Sequence, residues 1–188
     1  GNTGDAVKVF ADAKISITPD DTNEVGDPHT FDVYVEKNEG EGAGWEAADD
    51  STIVTVTLSD TFGAAYLVSS DTCATGTSAG ACSVTFTSDT AGTVTGHASA
   101  TITSGGLGLV RATDGEDGNT GDAVKVFADA KISITPNDTN EVGDPHTFDV
   151  YVEKNEGEGA GWEAADDSTI VTATLSDHLG ASSLVSID

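Results

Sequence analysis

The stretch GACSVTFTSDTAGTVTGHASATI, Gly80 to Ile102, alternates apolar and polar residues twice, with a turn signal between the two runs. Cys82, Val84 and Phe86 share one side of the first run; Val94, Gly96, Ala98, Ala100 and Ile102 share one side of the second. A period of two is the spacing of a strand with one buried and one wet face. The intervening Ser, Asp, Thr and Gly are residues that turns require.

The same period extends outward. KISIT places Ile15 and Ile17 on one face, and TFDVYVEK turns Phe31, Val33 and Val35 inward with Asp32, Tyr34 and Glu36 outward. In STIVTVTLS, Val54, Val56 and Leu58 oppose Thr55 and Thr57. Helical periodicity is absent. Two-faced strands separated by Gly, Pro, Asn and Asp predict an all-β fold, an antiparallel β-sandwich of about seven strands in roughly 100 residues, as in immunoglobulin-like domains. A closed barrel uses the same alternation and stays open as the competing topology.

The text is also written twice. GNTGDAVKVFADAKISITP begins at Gly1 and again at Gly118, an offset of 118 − 1 = 117 residues, and the match continues to Asp71 and Asp188 with exchanges such as Asp20 to Asn137, Val56 to Ala173 and Thr61 to His178. Such a period is the size of one domain. The expected organisation is tandem sandwiches: a first module over 1–112, an acidic Gly-rich linker over 113–122, and the opening part of a second module over 123–188. One period, Gly1 to Asp117, is expected to fold as a monomer. The second copy lacks counterparts of Thr72 to Asp117, which reads as a window on a longer repetitive protein. Its Phe148, Val150, Val152, Val171 and Leu175 then await strands from residues beyond 188 or from another chain.

The run from Gly80 to Ile102 resembles the closing strands of bacterial Ig-like domains of the invasin/intimin type, which read G-x-A-x-V-x-[LF]-T-S-x-x-A-G-x-x-x-[VT]-x-A. ISITPDDTNEVGDPHTFDVYV (Ile15 to Val35) and the alternation from Ile53 to Leu58 fall where that family places its first three strands. The resemblance implies a structural repeat that spaces other domains in a surface protein. The chain departs from the pattern in its cysteines, its acidity and the insertion EGEGAGWEAADD (Glu39 to Asp50), so receptor binding is not carried over.

Composition narrows the function classes. Seven basic residues face 33 acidic ones, a formal charge of −26. Such a chain repels nucleic acid and anionic membrane surfaces, and no apolar run is long enough for insertion. Cys73 and Cys82 are the only cysteines. Nine positions apart in an expected hairpin, they read as a disulfide formed in an oxidising, extracellular compartment, with two free thiols as the alternative.

Other motifs carry less. GTSAG (Gly76 to Gly80) matches a nucleophile elbow around Ser78, but the parallel strand and helix that such an elbow needs are not predicted, and His97 falls on the wet face; no enzyme is expected. In TDGEDGNTGD, Asp114, Glu116, Asp117, Asn119 and Asp122 crowd oxygen ligands suited to calcium, the one cofactor considered. Asp20, Asp21, Asn23, Glu24 and Asp27 read as a turn. Asn137 opens a glycosylation sequon. Trp45 and Trp162 are expected to cap the core or pack on a neighbouring module. The functional expectation is a stalk or adhesin spacer of a bacterial or archaeal surface protein, its partners being copies of itself. The alternative is a self-assembling extracellular filament or sheath completed by strand exchange, and a weaker third is a sugar-binding accessory module.

Overall fold

A computed structural model describes residues 4–76, 80–180 and 183. From the first copy come β1 (Asp12–Thr18), β2 (Asp21–Glu24), β3 (His29–Asn38), β4 (Glu46–Ala47), β5 (Ile53–Thr61), β6 (Tyr66–Val68), β7 (Thr72–Ala74), β8 (Ala81–Ser88), β9 (Gly92–Ser104) and β10 (Leu107–Ala112). From the second come β11 (Ala123–Thr135), β12 (Asp149–Asn155) and β13 (Glu163–Ala164).

The strands form two sheets. One runs β1-β3-β8-β6, with β4 on β3; the other runs β13-β12-β11-β9-β5-β7, with β10 on β9 and β2 on β11. The alternating residues read from sequence face each other across the gap. Ile15, Ile17, Phe31, Val33, Val35, Val84 and Phe86 of the first sheet meet Val54, Val56, Leu58, Val94, Ala98, Ala100 and Ile102 of the second, all buried. The architecture is therefore a sandwich. Burying each large side chain contributes about 1.5–3 kcal/mol, so this interior carries most of the favourable free energy. Gly96 is part of the fit: a Cβ there would lie 2.6 Å from the ring of Phe31.

Two expectations from sequence are corrected. The stretch 113–122 is a folded turn, and the change from pairing with the first copy to pairing within the second falls inside β11. Residues Ala123–Phe127 pair with Gly92–Gly96 of β9, whereas Asp129–Thr135 pair with β12. The sandwich of the first copy thus closes with a strand from the second, and the period Gly1 to Asp117 omits one of its strands. The physical reason is continuity: AVKVFADAKISIT contains no Gly, Pro or Asn, so a single 13-residue strand pairs first with β9 and then with β12.

The cysteines are also placed differently. Cys73 and Cys82 are bonded with Cα atoms 5.7 Å apart, but they do not share a hairpin. Cys73 sits on β7 beside Val54, and Cys82 on β8 beside Val33, so the bond staples one sheet to the other. On the exposed half of the second copy, Ile132, Ile134, Phe148, Val171 and Leu175 are at least 41% accessible. Val150 and Val152, read from sequence as sharing the inward face with Phe148, are half-buried.

The disulfide closes a loop of about ten residues, which in the chain-entropy model stabilises by about 2–3 kcal/mol. Replacing both Cys73 and Cys82 by alanine is expected to lower the unfolding free energy by that amount, read from urea denaturation.

Candidate functional site

The feature that distinguishes this sandwich is the groove in which β11 lies. Its floor is β9 on one side, antiparallel, and β2 on the other, parallel, with Lys125 opposite Asp21 and Phe127 opposite Asn23. The acidic segment read as a turn is in fact the outer wall of this groove. Asp20 Oδ1 accepts the Val124 N–H at 2.7 Å, and Ala128 O accepts the Val25 N–H at 2.9 Å.

Three side chains of β11 point into the sandwich: Ala123, Lys125 and Phe127, all buried. Phe127 lies edge-on to Phe86 at 6.1 Å, joining the cluster of Phe31, Phe86 and His29. Lys125 is the unexpected member. Its Nζ has Asp21 Oδ2 at 3.4 Å and the Phe127 ring centroid at 5.5 Å, and finds no hydrogen-bond partner among the described residues. Burial lowers the Lys125 pKa, with the Asp21 carboxylate opposing the shift. His29 is buried alongside, its Nδ1 3.9 Å from Asp21 Oδ2, and its pKa is also lowered, first by burial and then by the Lys125 charge.

The insertion EGEGAGWEAADD has its role here too. In the second copy this loop folds back on the first: Thr93 Oγ1 donates to Gly157 O at 2.9 Å. Gly157 is buried at φ 76°, where a side chain would collide with the Phe127 carbonyl oxygen, so close approach of the two backbones requires glycine. Gly159 lies against the ring of Phe62. The sequence carried a signal for all this, the unbroken alternation of AVKVF into KISIT, but not which sheet would receive its first half.

The turn 113–122 seals the opposite edge. Ile15 N–H donates to Asn119 Oδ1 and Ile17 N–H to Thr120 Oγ1, both at 3.1 Å, while Thr120 N–H returns to Ile15 O at 3.2 Å. Side chains of the turn therefore stand in for a neighbouring strand beside β1. Asp114 Oδ1 accepts the Glu116 N–H and Asn119 Nδ2, which hold its carboxyl below the ordinary range; Asp122 Oδ1 meets Thr113 Oγ1 and His97 Nδ1, each at 2.7 Å. Of the five residues expected to surround calcium, Asp114 and Asn119 bond to each other and Asp122 bonds to Thr113 and His97. No three His, Cys, Asp or Glu side chains converge as a metal cage among the described residues.

The remaining motifs resolve simply. Ser78 of GTSAG lies outside the described residues; Gly76 follows β7 and Gly80 precedes β8, so the flanking elements are strands of different sheets. Trp45 and Trp162 do not cap the core. They are about two-fifths exposed and cover Lys14 Nζ at 4.5 Å and Lys131 Nζ at 4.0 Å. The same lysines pair with Glu36 and Glu153, so each copy shows one indole–ammonium–carboxylate stack, which satisfies the aromatic on the surface. Asn137 is exposed at the position of Asp20.

Two outcomes follow from this geometry. Phe127→Ala is expected to cost about 3–5 kcal/mol as a buried aromatic truncation, while the same change at its repeat, Phe10, stays within about 0.5 kcal/mol; urea melts of the two variants make the comparison. The second concerns pH. Because the folded pKa of His29 lies below its ordinary 6.5, the unfolded chain binds the extra proton first, and stability present above pH 6.5 falls as pH drops through the folded value. Asp12 and Asp114, lowered from 3.8, lose their contributions only below that. The melting temperature should therefore decline as pH drops below 6.5, and His29→Gln should flatten that part of the profile.

Comparison with known proteins adds a limited context. No protein-family model matches the chain, and no curated protein matches it. Among solved structures, the D00-D0 domain of intimin matches with 18% identity and a TM-score of 0.36, over 66% of this chain. The chain spans about half the length of that structure.

Proposed function

We propose that this chain is a length of a structural repeat array, the shaft of a bacterial or archaeal surface protein, in which each sandwich is closed by the first strand of the next repeat. One observation carries the reading: β11 belongs to both sandwiches, its first half hydrogen-bonded to β9 and its second half to β12. A shared strand leaves no flexible linker at the joint, because bending there would break ladder hydrogen bonds and pull Phe127 from the core. The Gly157 loop adds a second point of contact beside it.

Other features support the same use. A disulfide across the sheets suits an oxidising exterior. A charge of −26 keeps long arrays soluble and mutually repelling. Near-identical repeats supply the same joint again and again, which is what a spacer of fixed stiffness needs.

Backbone ¹⁵N relaxation tests the stiffness. Amides of β9 and β12 are expected to report one correlation time in this chain, and insertion of two glycines after Ala128 is expected to separate them. Two correlation times in the unaltered chain would defeat the shaft reading.

A further inference from the structure

Residues Ala6–Phe10 repeat Ala123–Phe127 letter for letter, and the identity continues through Pro19 and Pro136. The two copies meet opposite fates. In β11, Ala123, Lys125 and Phe127 are buried in the groove between β2 and β9; their counterparts Ala6, Lys8 and Phe10 are all exposed, Phe10 at 80% against 0% for Phe127. The loop behaves in the same way, since Gly157 is buried against Gly92 and Phe127 while Gly40 is exposed. Two separate elements that the first sandwich covers in the second copy are thus uncovered in the first. Both lie beside each other: a Cβ on Gly40 would meet the Phe10 carbonyl oxygen and Val9.

We propose that Ala6–Phe10, with the Gly40 loop, is a donor strand whose partner is another copy of this same sandwich in which β11 does not fill the place between β2 and β9. The inference rests on the shaft reading above and adds to it the interaction by which arrays join head to tail. The fit is given by the chain itself, because β11 shows the docked form of an identical sequence. Val9 would pair with Thr93 of the partner copy and Lys8 with Asp21, as Val126 and Lys125 do here. Backbone pairing supplies affinity, and the alternate inward side chains supply register. The contact is heterologous, so a chain whose groove receives a strand still presents its own exposed Ala6–Phe10, and chains with vacated grooves join head to tail.

The full 188-residue chain can test this, because its own groove is opened by Phe127→Asp, which puts an unpaired charge into the core. Light scattering after size exclusion is expected to show concentration-dependent head-to-tail oligomers for Phe127→Asp and monomers for the unaltered chain, Phe10→Asp alone and the Phe10→Asp/Phe127→Asp double variant. Equal masses for the single Phe127 variant and the double variant overturn the proposal. Should opening the groove unfold the sandwich, the peptide GDAVKVFADA, residues 4–13, is added to the double variant. The expected result is recovery of the β-sheet circular dichroism and a midpoint raised by about 4–8 °C, whereas the same peptide with Asp in place of Phe does nothing. No recovery with the unaltered peptide also overturns it. The relaxation measurement on the unaltered chain is independent of these results, so failure of assembly leaves the stiffness reading to be judged separately.

Discussion

The structure depends on the insertion of Phe127 and its strand between β2 and β9. Without it the edge of β9 from Gly92 to Gly96 would be unpaired, and Phe86 and His29 would face water at one corner of the core. Unpaired backbone groups and an exposed aromatic corner together are costly. Supplying the strand from the next repeat removes both costs and, in the same step, fixes the next repeat in place. One strand thus completes the core of the first copy and begins the pairing of the second.

The polar groups in the groove add direction to that event. A strand with period two can slip by one residue, which would turn Val124 and Val126 inward and expel Phe127. Lys125 has one carboxylate within reach, that of Asp21, and only in the observed parallel register. A buried ammonium with a single partner is a weak source of stability but a good discriminator between registers. Burial, and then the Lys125 charge, lowers the His29 pKa, which ties the joint to the acidity of its surroundings.

Elsewhere the excess of acid places carboxylates against Lys14, Lys37, Lys131 and Lys154. Lys37 is surrounded by Asp49, Glu39 and Glu46, and Lys154 by Asp166, Glu156 and Glu163; the carboxylates raise both lysine pKa values. The sole arginine, Arg111, reaches from β10 to Ala13 O and Asp12 Oδ1 and so bridges the two sheets at their edge. Surface pairs of this kind contribute little individually. Of the three, Arg111 also meets the backbone, donating to Ala13 O.

The alternation of Ile15, Phe31, Val54, Val84 and Ile102 was enough to specify strands, their inward faces and an all-β sandwich, because side-chain direction along a strand is a local property of the backbone. The repeat of 117 residues was equally plain in the text. What the sequence left open was ownership. AVKVF has the same letters at residue 6 and at residue 123, yet one copy is wet and the other buried; Asp21 reads as a turn residue until a strand lies beside it; and Cys73 and Cys82 look like hairpin partners until β7 and β8 part to opposite sheets. Each of these depends on which distant backbone edge is vacant, a property of the assembled sheets and not of any local run of residues.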